Sequence, residues 1–332
     1  MKCVVLLSVI ILVSYIIGLI NNTNSFIWMD RNFTTAVKGS SILMIVWAHC
    51  GARLGVGGIQ FIAGIGVSLF LICSGYGLEL SYQKSGLDRF WRKRFLGICL
   101  PFWIVELVGL FLTNSFTVQK YAVDFFFLKP ATGYGWFMGY IMLCYLIFFG
   151  VKHILPNGML SNLLLLGVFA IWFVLDSIFF VNPNMPFLRA RQMLSFPCGV
   201  LIAQHMNEIV RYLTKVKSIL FFIVGAISCI LFMAITQLQE VKQMPYLLSN
   251  LMSLFTCFPM AVGLLAFGKS FGRIFHNRIL VVLGSISFEI YLVHAFSLCM
   301  VNGRYASLFM FILFTIISAL FMNVAIKRVK AL

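Results

Sequence analysis

Stretches of roughly 20 apolar residues recur along the whole chain, and few folds can hold them. As a helix, each is long enough to cross the ~30 Å hydrocarbon core of a bilayer. Eleven candidate spans fall near 3–20, 38–53, 58–78, 95–113, 136–155, 160–181, 192–206, 217–236, 246–268, 278–300 and 306–326. In hydrocarbon every backbone N–H and C=O must be paired internally, so the spanning element is a helix or a closed barrel. A barrel strand would alternate apolar and polar positions, and these runs do not. Only 10% of the residues are charged, against about a quarter in soluble domains. The expectation is an all-α polytopic membrane protein, with the lipid bilayer as its first partner.

Basic residues outnumber acidic ones, 25 Lys and Arg against 9 Asp and Glu, for a formal charge of +16. In a soluble protein that excess points to nucleic acid. Here no nucleic-acid partner is expected, because Lys and Arg in short loops mark the cytoplasmic side. Arg89 to Arg94, Lys152, Arg211 to Lys217, Lys269 to Arg278 and Lys327 to Lys330 form the basic set. Counting spans then puts the Lys38 end of its helix and the C-terminus in the cytoplasm, and the N-terminus of span 3–20 outside. That first span is read as an uncleaved addition. A signal sequence is the alternative, but Asn21-Asn-Thr-Asn24 follows it rather than a small-residue cleavage pattern. The chain divides into residues 1–30, a span and loop, and 31–332, one membrane domain. Nine scattered cysteines without a CxxC pair indicate neither a disulfide framework nor a zinc site, and no metal is expected.

Lys38 and His49 share one apolar span, eleven residues apart. On a helix that is about 16 Å, half the hydrocarbon thickness, and within about 20° of a common face. The lysine can sit at the cytoplasmic boundary with the imidazole near mid-membrane. An ionisable group at that depth is costly to place and marks function by default. A histidine hydrogen-bonded to a neighbouring helix is the plainer alternative. Glu289, Tyr291 and His294 crowd into a later span, where Tyr291 and His294 share a face and Glu289 and His294 stand about 140° apart. Any of them can orient His49 or line the cavity around it.

Arg89, Arg92, Lys93 and Arg94 lie between two spans. Topological signalling explains them; so does the binding of phosphate oxygens, to which guanidinium forks are matched. Ser74-Gly75 can let the backbone approach a ligand or can simply aid helix packing. Trp136, after Gly133-Tyr-Gly135, is an interfacial anchor or a platform for stacking a sugar. Glu79, just past the third span, reads as a solvated loop carboxylate, with a second acid or base as the alternative. Walker A, GxGxxG, HExxH and GxSxG signals are missing from the sequence.

Five stretches in order resemble the acyltransferase-3 family of integral-membrane acyltransferases, which includes bacterial O-acetyltransferases of cell-surface glycans. Lys38 to His49 is similar to the family's opening signature of a basic residue, ten residues and a histidine, with lysine where arginine is usual. Gly66-Val-Ser-Leu-Phe-Leu-Ile-Cys-Ser-Gly-Tyr76 resembles its Gly-Val-x-Leu-Phe-Phe-x-x-Ser-Gly-Phe segment. Arg92-Lys-Arg94 through Pro101-Phe-Trp103, Trp136-Phe-Met138, and Leu283 to His294 resemble three more of its motifs. The resemblance covers roughly residues 31–326 and implies a core of about ten helices, to which the first span is an addition.

The resemblance also implies acyl transfer, most often acetyl from acetyl-CoA, to a hydroxyl of a surface polysaccharide or its lipid-linked precursor, in a bacterial cytoplasmic membrane. His49 is then the general base, a task that suits an imidazole with an ordinary pKa of about 6.5. Lys38, Arg89, Arg92, Lys93 and Arg94 hold the anionic CoA at the cytoplasmic mouth of one passage that ends at His49. Tyr291, His294 or Glu289 orient the base or stabilise developing charge, and Ser74 and Trp136 contact substrate. An exporter or flippase of glycans or lipid-linked sugars, with the same helices and no acyl chemistry, is the alternative.

Overall fold

The computed structural model describes residues 2–20, 27–183 and 185–331. Those residues are 81% helix and contain no strand. The expected polytopic helical architecture is what the chain adopts. The loop at residues 21–26, which separates the two expected parts of the chain, lies outside the described residues.

The principal helices are α1 (Lys2–Ile20), α2 (Arg31–Arg53), α3 (Phe61–Ser85), α4 (Phe90–Leu112), α5 (Val118–Phe125), α6 (Trp136–Ile154) and α7 (Met159–Phe179). They are followed by α8 (Ser195–Gln204), α9 (Lys215–Ile235), α10 (Tyr246–Ser270), α11 (Arg278–Ser285), α12 (Ser287–Ser297) and α13 (Tyr305–Ala331). Among the described residues eight helices are long and apolar enough to cross a membrane, or nine if the bent pair α11–α12 forms one span. Eleven were expected, and the difference lies in three places.

Helix α2 begins seven residues before the expected span, because Asp30 caps it: Phe33 N–H donates to Asp30 Oδ1 at 2.6 Å. Its 23 residues have the length to cross, but Lys38, Ser40, Ser41 and His49 make it too polar to read as lipid-facing. The expected span 192–206 is only the ten-residue α8, entered through turns and a 3₁₀ turn at Ala190–Gln192. The expected span 278–300 breaks at Ile286, where α11 and α12 meet at 72°. Ser287 Oγ donates to the Gly284 carbonyl there at 2.8 Å, so the break leaves that acceptor satisfied.

Close backbone approach at glycines holds the middle of the bundle together. A Cβ on Gly75 of α3 would come 2.2 Å from the Phe196 carbonyl oxygen of α8, and one on Gly199 2.0 Å from that of Ile72. Gly39 of α2 and Gly284 of α11 stand in the same relation, 2.0 Å from the Leu280 oxygen and 1.8 Å from that of Thr35. Small residues let membrane helices touch where lipid offers no hydrophobic gain from association. Helices α9 and α13 instead turn large apolar side chains outward, among them Ile227, Ile230, Leu313 and Phe321.

The basic loops share one face of the bundle. Lys152 at the end of α6 meets Glu79 near the end of α3. Lys269 donates to the carbonyls of Val210 and Leu213, and Lys330 lies against Gly97. Helix α1 runs toward that face: Cys3 Sγ bonds to Gly303 O at the far end, while Tyr15 Oη donates to Ile274 O at the basic end. Glu79 is a correction to the sequence reading. It lies within α3, 1% exposed, with Lys152 Nζ 3.1 Å from its Oε2. A buried pair of this kind organises packing rather than supplying an acid or base to solvent.

Candidate active site

Two cavities enter the bundle from opposite faces and meet in its middle. The basic-face cavity, about 440 Å³, is lined by Lys38, Ser74, Arg94, Glu289 and Lys330. The opposite cavity, about 670 Å³, is lined by His49, Tyr134, Trp136, Arg191 and Gln192. Ile45, Val67 and Tyr291 line both. The single passage expected from the sequence, with a basic mouth and His49 at its inner end, is thus two cavities with Tyr291 between them, and His49 belongs to the second.

His49 and His294 touch. Nδ1 of His49 is 2.9 Å from Nε2 of His294, and Nδ1 of His294 is 2.6 Å from the Tyr291 carbonyl oxygen. A carbonyl only accepts, so His294 Nδ1 carries the hydrogen, and in the neutral ring Nε2 is left to accept. His49 Nδ1 must then donate to it, which leaves the lone pair of His49 on Nε2. The bonding thus assigns both tautomers. The chain is anchored at its inner end, since His294 is fully buried, and open at its outer end, since His49 lines a cavity. Tyr134 completes the site: its ring centroid lies 4.1 Å from that of His49, and its carbonyl accepts from Tyr291 Oη. Burial raises the Tyr134 phenol above its ordinary pKa, which keeps it neutral.

The bend at Ile286 distributes the residues of α12 between the two cavities. Glu289, in the first turn of α12, faces the basic-face cavity and accepts from Asn323 Nδ2 at 2.8 Å. It does not join the histidines. Tyr291 forms the partition, and His294 supports His49.

Of the basic cluster, only Arg94 reaches a cavity. Arg89 is solvent-exposed and pairs with Asp88 at 3.9 Å, while Arg92 and Lys93 are exposed on the surface. The π-helical turn at Phe95–Cys99 follows Arg94 directly, and π-turns often accompany functional sites. Arg94 lies 5.2 Å from the Tyr145 ring centroid, and its buried Nε has no hydrogen-bond partner. An orphaned guanidinium nitrogen beside Lys38 and Lys330 is what a site for an anionic group requires. The sequence marks Lys330 for topology alone and does not single out Tyr134, Tyr145, Arg191 or Asn323. Only Tyr134 had a local signal, its flanking glycines. Among the described residues no three His, Cys, Asp or Glu side chains converge as metal ligands would.

These residues belong to a recognisable set. The family model of the acyltransferase-3 acyltransferase domain matches residues 26–327. The chain belongs to the acyltransferase-3 family. It is therefore a membrane acyltransferase, and the match covers the lining of both cavities except Lys330, together with all five motifs that resemble the family. No curated protein and no solved structure is a match.

Proposed function

We propose that this acyltransferase moves an acetyl group from cytoplasmic acetyl-CoA to a hydroxyl of a cell-surface polysaccharide or its lipid-linked precursor, on the other side of a bacterial cytoplasmic membrane. The observation that carries the proposal is the oriented His49–His294–Tyr291 chain at the meeting point of two cavities. The excess of Lys and Arg on one face argues that this face is cytoplasmic. Lys38, Arg94 and Lys330 would hold the phosphates of CoA there, and the thioester would reach toward Tyr291.

The acceptor would enter from the opposite side. His49 Nε2 takes the proton of its hydroxyl as the oxygen attacks the thioester carbonyl. The acyl–sulfur bond breaks, the acyl–oxygen bond forms, and the thiolate of CoA leaves with the proton that His49 took up, which restores the neutral imidazole. His294 is a positioning residue in this scheme. Its Nε2 accepts from His49 Nδ1–H and stabilises the imidazolium that forms, as the third member of a nucleophile–base–orienter set does. Trp136 offers an aromatic face for a sugar ring at the outer cavity.

The test is mass spectrometry of surface glycans from cells with and without the gene. The expected outcome is a glycan lighter by one acetyl group in its absence. A glycan of unchanged mass that no longer reaches the surface would replace this reading with the export alternative.

A further inference from the structure

The cavity that holds His49 carries positive charge that nothing on its wall balances. Arg191 and Lys242 line it, and among the described residues no Asp or Glu does. Four ion pairs occur among the described residues, and neither cation takes part in one. Arg191 Nε donates to the Phe187 carbonyl at 2.9 Å, which fixes the side chain one turn beyond its own support. Its stem rests on α3 at Gly64, where an added Cβ would come 3.5 Å from Arg191 Cδ. Lys242 stands on the short helix Gln239–Gln243 at the mouth. Glu240 is two residues away, a spacing that does not share a helix face, and it does not line the cavity.

The neighbouring cavity shows what balance looks like in this protein. It is about 490 Å³ and shares Trp136, Met185, Pro186 and Leu188 with the first. Its cations Lys129 and Arg189 are accompanied by Asp124 and Asp176, and Arg189 Nη2 is 2.7 Å from Asp176 Oδ1. An uncompensated guanidinium at the edge of a bilayer is costly. The protonation of His49 during catalysis would add a further positive charge beside it.

We infer that the acceptor is anionic: a saccharide bearing a carboxylate or a phosphate close to the hydroxyl that is acylated. Arg191 presents a planar fork that matches either group, and Lys242 draws the anion in at the mouth. The identification of this ligand as the acceptor rests on the acyl-transfer reading; the preference of the cavity for anions does not.

The experiment uses the full-length protein in nanodiscs of uncharged phosphatidylcholine. Binding of tetragalacturonate is compared with that of neutral maltotetraose, and binding of glucose 1-phosphate with that of glucose and of inorganic phosphate. One charged saccharide should bind about tenfold tighter than its neutral counterpart, the size expected for hydrogen bonds to a charged group, and the pair that shows the difference identifies carboxylate or phosphate as the anion. The difference should shrink as salt rises from about 0.05 to about 0.5 M. Arg191→Gln should erase it while leaving acetyl-CoA binding intact, because Arg191 does not line the basic-face cavity. Equal binding within both pairs would overturn the inference, as would a preference that survives Arg191→Gln. Where the glucose 1-phosphate pair shows the preference, inorganic phosphate binding as tightly as glucose 1-phosphate would also overturn it, by showing an ion site with no role for the sugar. Failure of the wild-type protein to bind acetyl-CoA would instead sink the proposed function and leave the anion preference standing.

Discussion

His49 Nδ1 lies 2.9 Å from His294 Nε2, although 245 residues separate them in the chain. The contact gives the two most deeply placed histidines different roles. His294, held by the Tyr291 carbonyl, has no free nitrogen. His49 has one, and it belongs to the residue that lines a cavity.

Substitution of the supporting ring should therefore be costly without abolishing the site. His294→Ala leaves the His49 tautomer unsupported, and the acyl-transfer rate should fall at least about tenfold, with little change in the KM for acetyl-CoA. Initial rates at varied acetyl-CoA check this. A raised KM with unchanged kcat would place His294 in donor binding instead.

The basic-face cavity makes a sharper distinction among cations than the sequence does. Lys38→Gln, Arg94→Gln and Lys330→Gln should each weaken acetyl-CoA binding about tenfold, the worth of one charge-assisted contact. Arg89→Gln should not, because Arg89 is exposed and already paired with Asp88. Equilibrium binding to the purified variants at low salt measures all four. A loss at Arg89 equal to that at Arg94 would contradict the cavity assignment.

Much of this was legible in the chain, for identifiable reasons. Lipid forces backbone pairing into helices, so the class could be read from apolar runs alone. Span limits failed where a helix carries polar groups inward, as α2 does with Lys38 and His49, or breaks under a glycine contact, as α11 and α12 do beside Gly284. Helical spacing put Tyr291 and His294 on one face and Glu289 off it, which agrees with where the three side chains lie. Glu79 was misread because its partner, Lys152, is 73 residues away. The division into two cavities was not readable at all, since it depends on Tyr291 meeting the carbonyl of Tyr134 from another part of the chain.

The glycine crossings give a prediction about stability. Gly75→Ala puts a methyl group 2.2 Å from the backbone oxygen of Phe196, and neither helix can yield locally. A loss of about 1–3 kcal/mol is expected, typical of overpacking. Gly150→Ala on α6 meets nothing within 4 Å and should be neutral or slightly stabilising. Thermal unfolding in detergent compares the two. Equal Tm values would mean that the crossing is not tight.

Asp124 on α5 offers a pH test. It is 2% exposed and hydrogen-bonded to Glu106. Burial raises its pKa above the ordinary 3.8. A raised acid keeps its proton in the folded chain after the unfolded chain has lost it, so its linkage lowers stability as pH climbs from about 3.8 toward the folded pKa. The wild-type Tm should decline over that interval, and replacing both carboxyls of the pair, Glu106→Gln with Asp124→Asn, should flatten the decline. Parallel pH profiles for the wild type and the double variant would show that the pair is ionised in the fold.

The most direct measurement of the account is the initial rate of label transfer from radioactive acetyl-CoA to glycan, in membranes holding equal amounts of wild-type and His49→Gln protein. General-base catalysis of this kind is worth about 10²–10⁴-fold, and the variant should lose that much while still binding acetyl-CoA. Transfer at the wild-type rate by His49→Gln would contradict the account.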